Sequence, residues 1–134
     1  MFHLDDRLAG DTVPICDLAL SRVLLMNDAR FPWAILVPRR PALVEFHDLA
    51  PADRDVLGEE AALVSAALQK LTGAQKMNVA ALGNVVRQLH VHVIARVEGD
   101  AAWPRPVWGV GSAVPYAAGE AEARAAALKE AIGR

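Results

Sequence analysis

The alternation of apolar and polar residues predicts a chain of short strands interrupted by helices. Apolar runs predict strands over residues 14–20, 22–27, 33–37, 75–82 and 86–95. The polar segment Asn27-Asp28-Ala29-Arg30 separates the second run from the third with turn-forming residues, which indicates an antiparallel hairpin. Gly83-Asn84 predicts a tight turn between the last two strands.

One long helix is the clearest helical signal. Pro51 suits a first helical position and Gly73 suits a left-handed cap. Between them, apolar residues follow at spacings of four and three, namely Leu57, Ala61, Val64, Leu68 and Leu71. A short helix over 3–9, closed by Gly10, and an Ala-rich helix over 119–132 are also predicted. This order of elements predicts an α+β fold, an antiparallel sheet with the long helix on one face.

Composition narrows the class of protein. At 134 residues, 54% hydrophobic and 22% charged, the chain suits one globular domain. The net charge of −2 argues against nucleic acid as the main partner. No apolar run is long enough for a membrane span, and no secretory signal begins the chain. The single cysteine, Cys16, agrees with a reducing compartment, so a cytoplasmic location is expected.

The segment Gln88-Leu89-His90-Val91-His92 carries the most informative pattern in the chain. Side chains on a strand alternate between faces, so Gln88, His90 and His92 are predicted to share one face. Two imidazoles and an amide side by side predict a site. A neutral imidazole with one nitrogen free can attack phosphorus, and neighbouring donors can stabilise the phosphate oxygens. The same His-x-His spacing also occurs in zinc sites, with His3, His47, Cys16 or a carboxylate as a possible third ligand.

The stretch Gly83–Arg96 resembles the signature strand of the histidine triad (HIT) family, whose pattern is His-φ-His-φ-His-φ-φ with φ apolar. Every position matches except the first histidine, which is Gln88 here. The segments 24–27 and 33–39 are similar to the family's ribose-binding hairpin, and 46–49 to the entry of its first helix. The resemblance implies a HIT-like sheet of about five strands with one long helix packed on it and a C-terminal helix. It implies a HIT-like domain over 1–110 and a C-terminal extension over 111–134 within the same compact unit.

The resemblance also assigns roles to the polar residues of the segment. His90 would be the nucleophile that forms a nucleotidyl-imidazole intermediate, and His92 would donate to the phosphate oxygens. Gln88 would orient His90 or the phosphate, but it cannot titrate. For nucleotide binding, Asn27 would contact the ribose, and Asn84 beside Gly83 would face the phosphates or the leaving group. Plain turn roles for Asn27 and Asn84 stay open.

The implied function is a nucleotide phosphohydrolase or transferase acting at the α-phosphate of purine nucleoside phosphoramidates or dinucleoside polyphosphates. No metal or other cofactor is required for this chemistry, and a homodimer is expected. Alternatives are a catalytically weak nucleotide-binding module and a metal-binding or structural domain. Trp103 and Trp108 are expected to pack a proline-rich extended arm onto the body or a partner subunit, with stacking on a base as the other possibility.

Overall fold

The computed structural model describes all residues, 1–134, and contains five strands, three α-helices and one short 3-10 helix. The helices are α1 (Asp6–Asp11), α2 (Pro51–Thr72) and α3 (Glu120–Ile132), and the 3-10 turn covers Phe46–Asp48. The strands are β1 (Thr12–Asp17), β2 (Ser21–Met26), β3 (Trp33–Pro38), β4 (Lys76–Ala80) and β5 (Val91–Arg96). The predicted α+β class is confirmed.

The strands form one antiparallel sheet in the order β1-β2-β3-β5-β4. The predicted β2–β3 hairpin is present, with Leu24 opposite Ile35. Strand β5 lies between β3 and β4, where His92 faces Ile35 on one side and Ala80 on the other. The histidine strand therefore occupies an interior position of the sheet, which fixes its backbone on both sides.

One face of the sheet is covered by both long helices, not by α2 alone. Pro51 begins α2 and Gly73 ends it in the left-handed conformation, as predicted. Leu57, Val64 and Leu68 of α2 are buried against this face together with the apolar stripe of α3. The apolar repeat of α2 indicates that Leu71 also faces the core, but Leu71 is 40% exposed in an open depression between the ends of α2 and α3.

The opposite face holds a second, smaller apolar cluster. Its strand residues include Trp33, Ile35 and Ile94, and residues from α1 and from the segment 102–110 cover them. Arg96, which is 1% exposed, binds Asp100 with an Nε–Oδ2 distance of 2.7 Å and pins the start of that segment. His92 points to this face, because it pairs with Ile35 across the ladder.

Two predicted boundaries near the N-terminus are wrong. The helix predicted over 3–9 covers Asp6–Asp11, because the Asp5 side chain accepts from the amides of Arg7 and Leu8 and so sets its start. Gly10 lies within this helix and does not close it. The strand predicted over 14–20 covers Thr12–Asp17, since Leu18 begins a turn in which its amide donates to the Ser21 carbonyl.

The predicted strand over 86–95 and its tight turn are also wrong, because β5 begins only at Val91. Strand β4 ends at Ala80, which already pairs with His92, so the residues before Val91 have no β4 partner. Residues 81–90 form a ten-residue loop. The Leu89 amide donates to the carbonyl of Leu43, outside the sheet, at 3.0 Å.

The proline-rich segment is not an extended arm. Residues 98–111 form a series of turns and bends, with Val107 buried in the second cluster. Trp108 packs against the rings of Trp33 and His92, so the prediction that this segment packs on the body is correct. None of the three helices combines the length and the apolar character that a bilayer span requires.

Candidate active site

A hydrogen bond to a nearby backbone carbonyl orients the side chain of His90. Its Nδ1 lies 2.7 Å from the carbonyl oxygen of Gln88. A carbonyl only accepts, so Nδ1 carries the proton and the neutral ring keeps a lone pair on Nε2. The residue is 6% exposed and lines a cleft on the second face of the sheet. His90 is therefore oriented with its unprotonated nitrogen available.

His92 is held in the opposite tautomer. The indole Nε1 of Trp33 donates to His92 Nδ1 at 3.0 Å. An indole N–H only donates, so Nδ1 must be unprotonated and the neutral ring carries its proton on Nε2. The two imidazole rings lie edge to face with centroids 4.7 Å apart. One ring thus presents a lone pair and its neighbour presents an N–H donor.

Both free nitrogens reach the cleft. Neither Nε2 atom has a hydrogen-bond partner within the protein. The only fully buried side-chain nitrogen or oxygen without a partner is Ser21 Oγ, so both Nε2 atoms touch the cleft surface. Burial, and then the nearby His90 ring, lowers the pKa of His92 from 6.5 to about 3. His92 is accordingly an uncharged donor near neutral pH.

The cleft has a volume of about 660 Å³ and adjoins a second cavity of about 420 Å³. Asp11, Met26 and Trp108 line both cavities. The first holds the two histidines and the loop 82–86, and the second holds the β2–β3 turn and residues 107–111. The combined space suits a small-molecule ligand that extends from the two histidines into the smaller cavity.

The Gln88 side chain contacts the N-terminal segment and makes no hydrogen bond with either histidine. Its Oε1 accepts from the Asp5 amide at 2.8 Å, and its Nε2 donates to the His3 carbonyl at 2.8 Å. The hydrogen bond between Gln88 and His90 comes from the Gln88 backbone oxygen. The amide thus fixes the chain just before α1, and α1 contributes Arg7 and Asp11 to the cleft.

The predicted nucleotide-binding residues occupy both cavities. Asn27 lines the smaller cavity, where its Oδ1 accepts from the Tyr116 amide at 2.9 Å, which leaves its NH₂ group without a protein partner. Asn84 is exposed and lines the larger cleft beside Gly83. Gly83 has φ +71°, and an added Cβ would lie 3.3 Å from the Val86 carbonyl oxygen, so the loop requires glycine at this position.

Sequence reasoning treated Trp33 as an ordinary strand residue and missed its bond to His92. The two residues are 59 positions apart and meet because Trp33 pairs with Ile94, two residues beyond His92 on the same face. Trp108 completes an aromatic enclosure, with its ring centroid 4.9 Å from that of His92. An aromatic residue on the hairpin strand was the only available signal.

The alternative of a metal site was also open from the sequence. His90 and His92 lie together, but no group of three or more His, Cys, Asp or Glu side chains is arranged to hold a metal ion. His3 instead contacts Asp6, with 3.3 Å between Nε2 and Oδ1. His47 is exposed, and Cys16 packs against the helix-covered core.

Comparison with known proteins identifies the family. The HIT domain model matches residues 9–99. The structure is similar to that of a histidine triad protein from Sinorhizobium meliloti, at 53% identity and TM-score 0.94, with 96% of each chain covered. Histidine triad proteins from Bradyrhizobium japonicum (50% identity, TM-score 0.94, 98% of each chain) and Marinobacter aquaeolei (45%, 0.89, 99% of this chain and 94% of that one) are similar too.

A search of the curated proteins gave no match. The family match nevertheless covers well over half of the chain, and the similarity to the three solved structures extends over nearly all of it. Together with the neighbouring rings of His90 and His92, one just before β5 and one on it, and the sheet order, these matches show that the chain belongs to the histidine triad (HIT) family.

Proposed function

We propose that this protein is a nucleotide phosphohydrolase or transferase that acts at the α-phosphate of purine nucleoside phosphoramidates or dinucleoside polyphosphates. HIT domain proteins are generally nucleotide hydrolases, which supports the reaction class. The observation that carries the proposal is the opposite tautomers of His90 and His92. The preference for purines rests on the family resemblance. No cofactor is part of the proposal.

In the proposed reaction, the lone pair on His90 Nε2 attacks the α-phosphorus. A P–N bond forms as the bond to the leaving group breaks, and the leaving group takes the bonding electron pair. The positive charge on the nucleotidyl-imidazolium is stabilised by the Gln88 carbonyl, which stays bound to Nδ1–H. His92 Nε2–H donates to a non-bridging oxygen. Water then attacks phosphorus, releases one proton to solvent and returns the electron pair to His90.

The two adjoining cavities divide the proposed substrate between them. The phosphates would occupy the larger cleft, beside the two histidines, the exposed Arg7 and the loop residues Gly83 and Asn84. The nucleoside would occupy the smaller cavity, with the free NH₂ group of Asn27 toward the ribose hydroxyls.

A substrate panel tests this function. Adenosine phosphoramidates and dinucleoside polyphosphates are incubated with the wild-type protein and with His90→Ala, and released mononucleotide is measured. The wild type should turn over repeatedly, and His90→Ala should be inactive while binding mononucleotide within about tenfold of wild type. His92→Ala should impair both binding and rate. His47→Ala removes an exposed histidine outside the cleft and serves as the matched control. Equal hydrolysis by His90→Ala and wild type would contradict the proposal.

A second candidate is a nucleotide-binding module with weak catalysis. It is favoured by one observation: Gln88 cannot titrate, and its amide is already bound to the N-terminal segment. Both candidates predict mononucleotide binding. Only the enzyme predicts product release over many turnovers, so a single stoichiometric burst without further product would favour the binding module.

The proposed assembly is a symmetric homodimer formed at the β4 edge. HIT proteins usually act as dimers. Strand β4 is the last strand of the sheet, and exposed apolar side chains lie on or near it: Phe46 (53%), Val79 (51%), Leu82 (44%) and Val85 (72%). The opposite edge, β1, carries Pro14 and a bulge and is a poorer template.

Light scattering at micromolar concentration should give twice the chain mass for the wild type, and Val79→Lys should shift the protein toward monomer. Val13→Lys on β1, at the other edge of the sheet, is the control. A monomeric wild type would contradict the assembly.

The proposed location is the cytoplasm, since the free thiol of Cys16 suits a reducing compartment.

A further inference from the structure

The contact between Trp33 and His92 restricts which protonation states His92 can adopt. The indole N–H points at His92 Nδ1 from 3.0 Å and has no lone pair to offer in return. Protonation of Nδ1 would bring two N–H groups face to face in a buried site, where His92 is 4% exposed and Trp33 is also 4% exposed. The structure therefore disfavours both the Nδ1–H tautomer and the imidazolium form of His92.

We propose that Trp33 is a positioning residue that holds His92 as a neutral Nε2–H donor, so that the site acts on leaving groups that depart as unprotonated anions. This inference rests on the proposed function and narrows its substrate class. A neutral imidazole donates a hydrogen bond from Nε2–H, but giving up that proton would create an imidazolate. His92 therefore stabilises charge on phosphate oxygens without supplying a proton to the leaving atom.

The other groups around the reacting nitrogens do not replace a general acid. His90 Nδ1–H is bound to a backbone carbonyl and faces away from the substrate, and its Nε2 is consumed in the new P–N bond. Gln88 cannot titrate. The charged groups of the cleft are Arg7 and Asp11 on α1, both exposed to solvent. Strands β3 and β4 place only apolar residues, Ile35 and Ala80, opposite His92.

The consequence for the bond-breaking step is a strong dependence on leaving-group basicity. In this step the P–N bond to His90 forms and the bond from phosphorus to the leaving atom breaks. The leaving group keeps the bonding electron pair and departs as an anion. A polyphosphate or a sulfate accepts that pair readily, whereas an alkylamine departs only after it gains a proton. Anhydrides of a nucleoside monophosphate should therefore be better substrates than its alkyl phosphoramidates by about 10²- to 10⁴-fold, the range that general acid catalysis contributes.

The tautomer is tested by ¹⁵N NMR of histidine-labelled protein between pH 5 and 8. In the wild type, His92 should show an unprotonated Nδ1 and a protonated Nε2 throughout. Trp33→Phe keeps a ring but removes the donor, and His92 should then exchange between its two neutral tautomers, because burial still disfavours the imidazolium form. Trp108→Phe alters the packing on the same ring without removing a hydrogen bond, and the wild-type His92 signature should persist. A wild-type His92 that is protonated on Nδ1 would overturn the proposal even if Trp33→Phe fails to fold.

The predicted dependence of the rate on leaving-group basicity is tested with a series of aryl esters of adenosine 5′-monophosphate whose phenols differ in pKa, together with an alkyl phosphoramidate. Wild-type rates should fall steeply as the leaving group becomes more basic, with the phosphoramidate slowest. Rates that do not change with leaving-group pKa, or a selective loss of phosphoramidate cleavage in Asp11→Asn, would reveal a general acid in the protein. Either result would overturn the predicted dependence on leaving-group basicity. Failure to cleave any member would instead refute the proposed function, while the NMR result still decides the role of Trp33.

Discussion

The replacement Gln88→Ala tests what this amide contributes to the site. The side chain makes two hydrogen bonds, to the Asp5 amide and the His3 carbonyl, each 2.8 Å long. A neutral hydrogen bond of this kind contributes about 0.5–1.5 kcal/mol net. Because the contact to His3 is exposed, we take about 1–2 kcal/mol for the pair. That energy holds the segment before α1, so its loss should weaken mononucleotide binding about 5- to 30-fold.

The expected effect is on binding because α1 contributes Arg7, Leu8 and Asp11 to the cleft, whereas His90 is oriented by the Gln88 backbone, which the substitution retains. Titration calorimetry with AMP measures the dissociation constant. Rapid quench at saturating substrate measures the chemical step, which should change less than about threefold.

Two variants control this experiment. Gln88→Glu keeps the acceptor for the Asp5 amide but loses the donor to His3, so its affinity should be intermediate. Gln75→Ala removes a similar bond, from the Glu98 amide at 2.9 Å, outside the cleft and should leave AMP binding unchanged. If Gln88→Ala slowed the chemical step tenfold or more at unchanged affinity, the side chain would act on His90 and the argument would be refuted.

Two further predictions concern stability. The pKa of His92 is about 3 in the folded protein and 6.5 in the unfolded chain, so below about pH 6.5 the unfolded chain binds a proton that the folded one does not. The free energy of unfolding should therefore be independent of His92 protonation above about pH 6.5 and fall below that pH by up to about 1.4 kcal/mol per pH unit. Urea unfolding at pH 4.5–7 should show a smaller dependence of this free energy on pH for His92→Gln than for the wild type. An equal dependence in the two proteins would contradict the prediction. Asp100→Asn should cost about 3–5 kcal/mol, because it leaves the Arg96 guanidinium buried without its charged partner; a cost below about 1 kcal/mol in urea unfolding would contradict it.

The sequence predicts that His90 and His92 lie side by side, but the alternation of a strand explains this only in part. Period-two alternation correctly placed both on the face opposite Leu89, Val91 and Val93. The strand itself begins at Val91, so the orientation of His90 comes from a loop in which Nδ1 reaches back to the Gln88 carbonyl. Local pattern predicts which side a residue occupies, whereas the end of a strand depends on where its partner strand ends.

Contacts between distant parts of the chain could not be predicted. The Gln88 amide binds a segment 83–85 residues away, and the Asn27 side chain binds the Tyr116 amide 89 residues away. Glu60 is another case: its position in α2 indicates a polar surface residue, yet its carboxylate is buried and accepts from the Leu20 and Ser21 amides. Each contact depends on the packing of whole elements, which residue periodicity does not encode.

Trapping the covalent intermediate shows whether His90 is the nucleophile. A single-turnover reaction with an aryl ester of adenosine 5′-monophosphate is quenched in base, since phosphoramidate bonds to imidazole are acid-labile, and the digested protein is mapped by mass spectrometry. We expect an adenylyl group on His90 in the wild type and none in His90→Ala, which should also release no product. A label on His92 or on any other residue, or hydrolysis retained by His90→Ala, would contradict it.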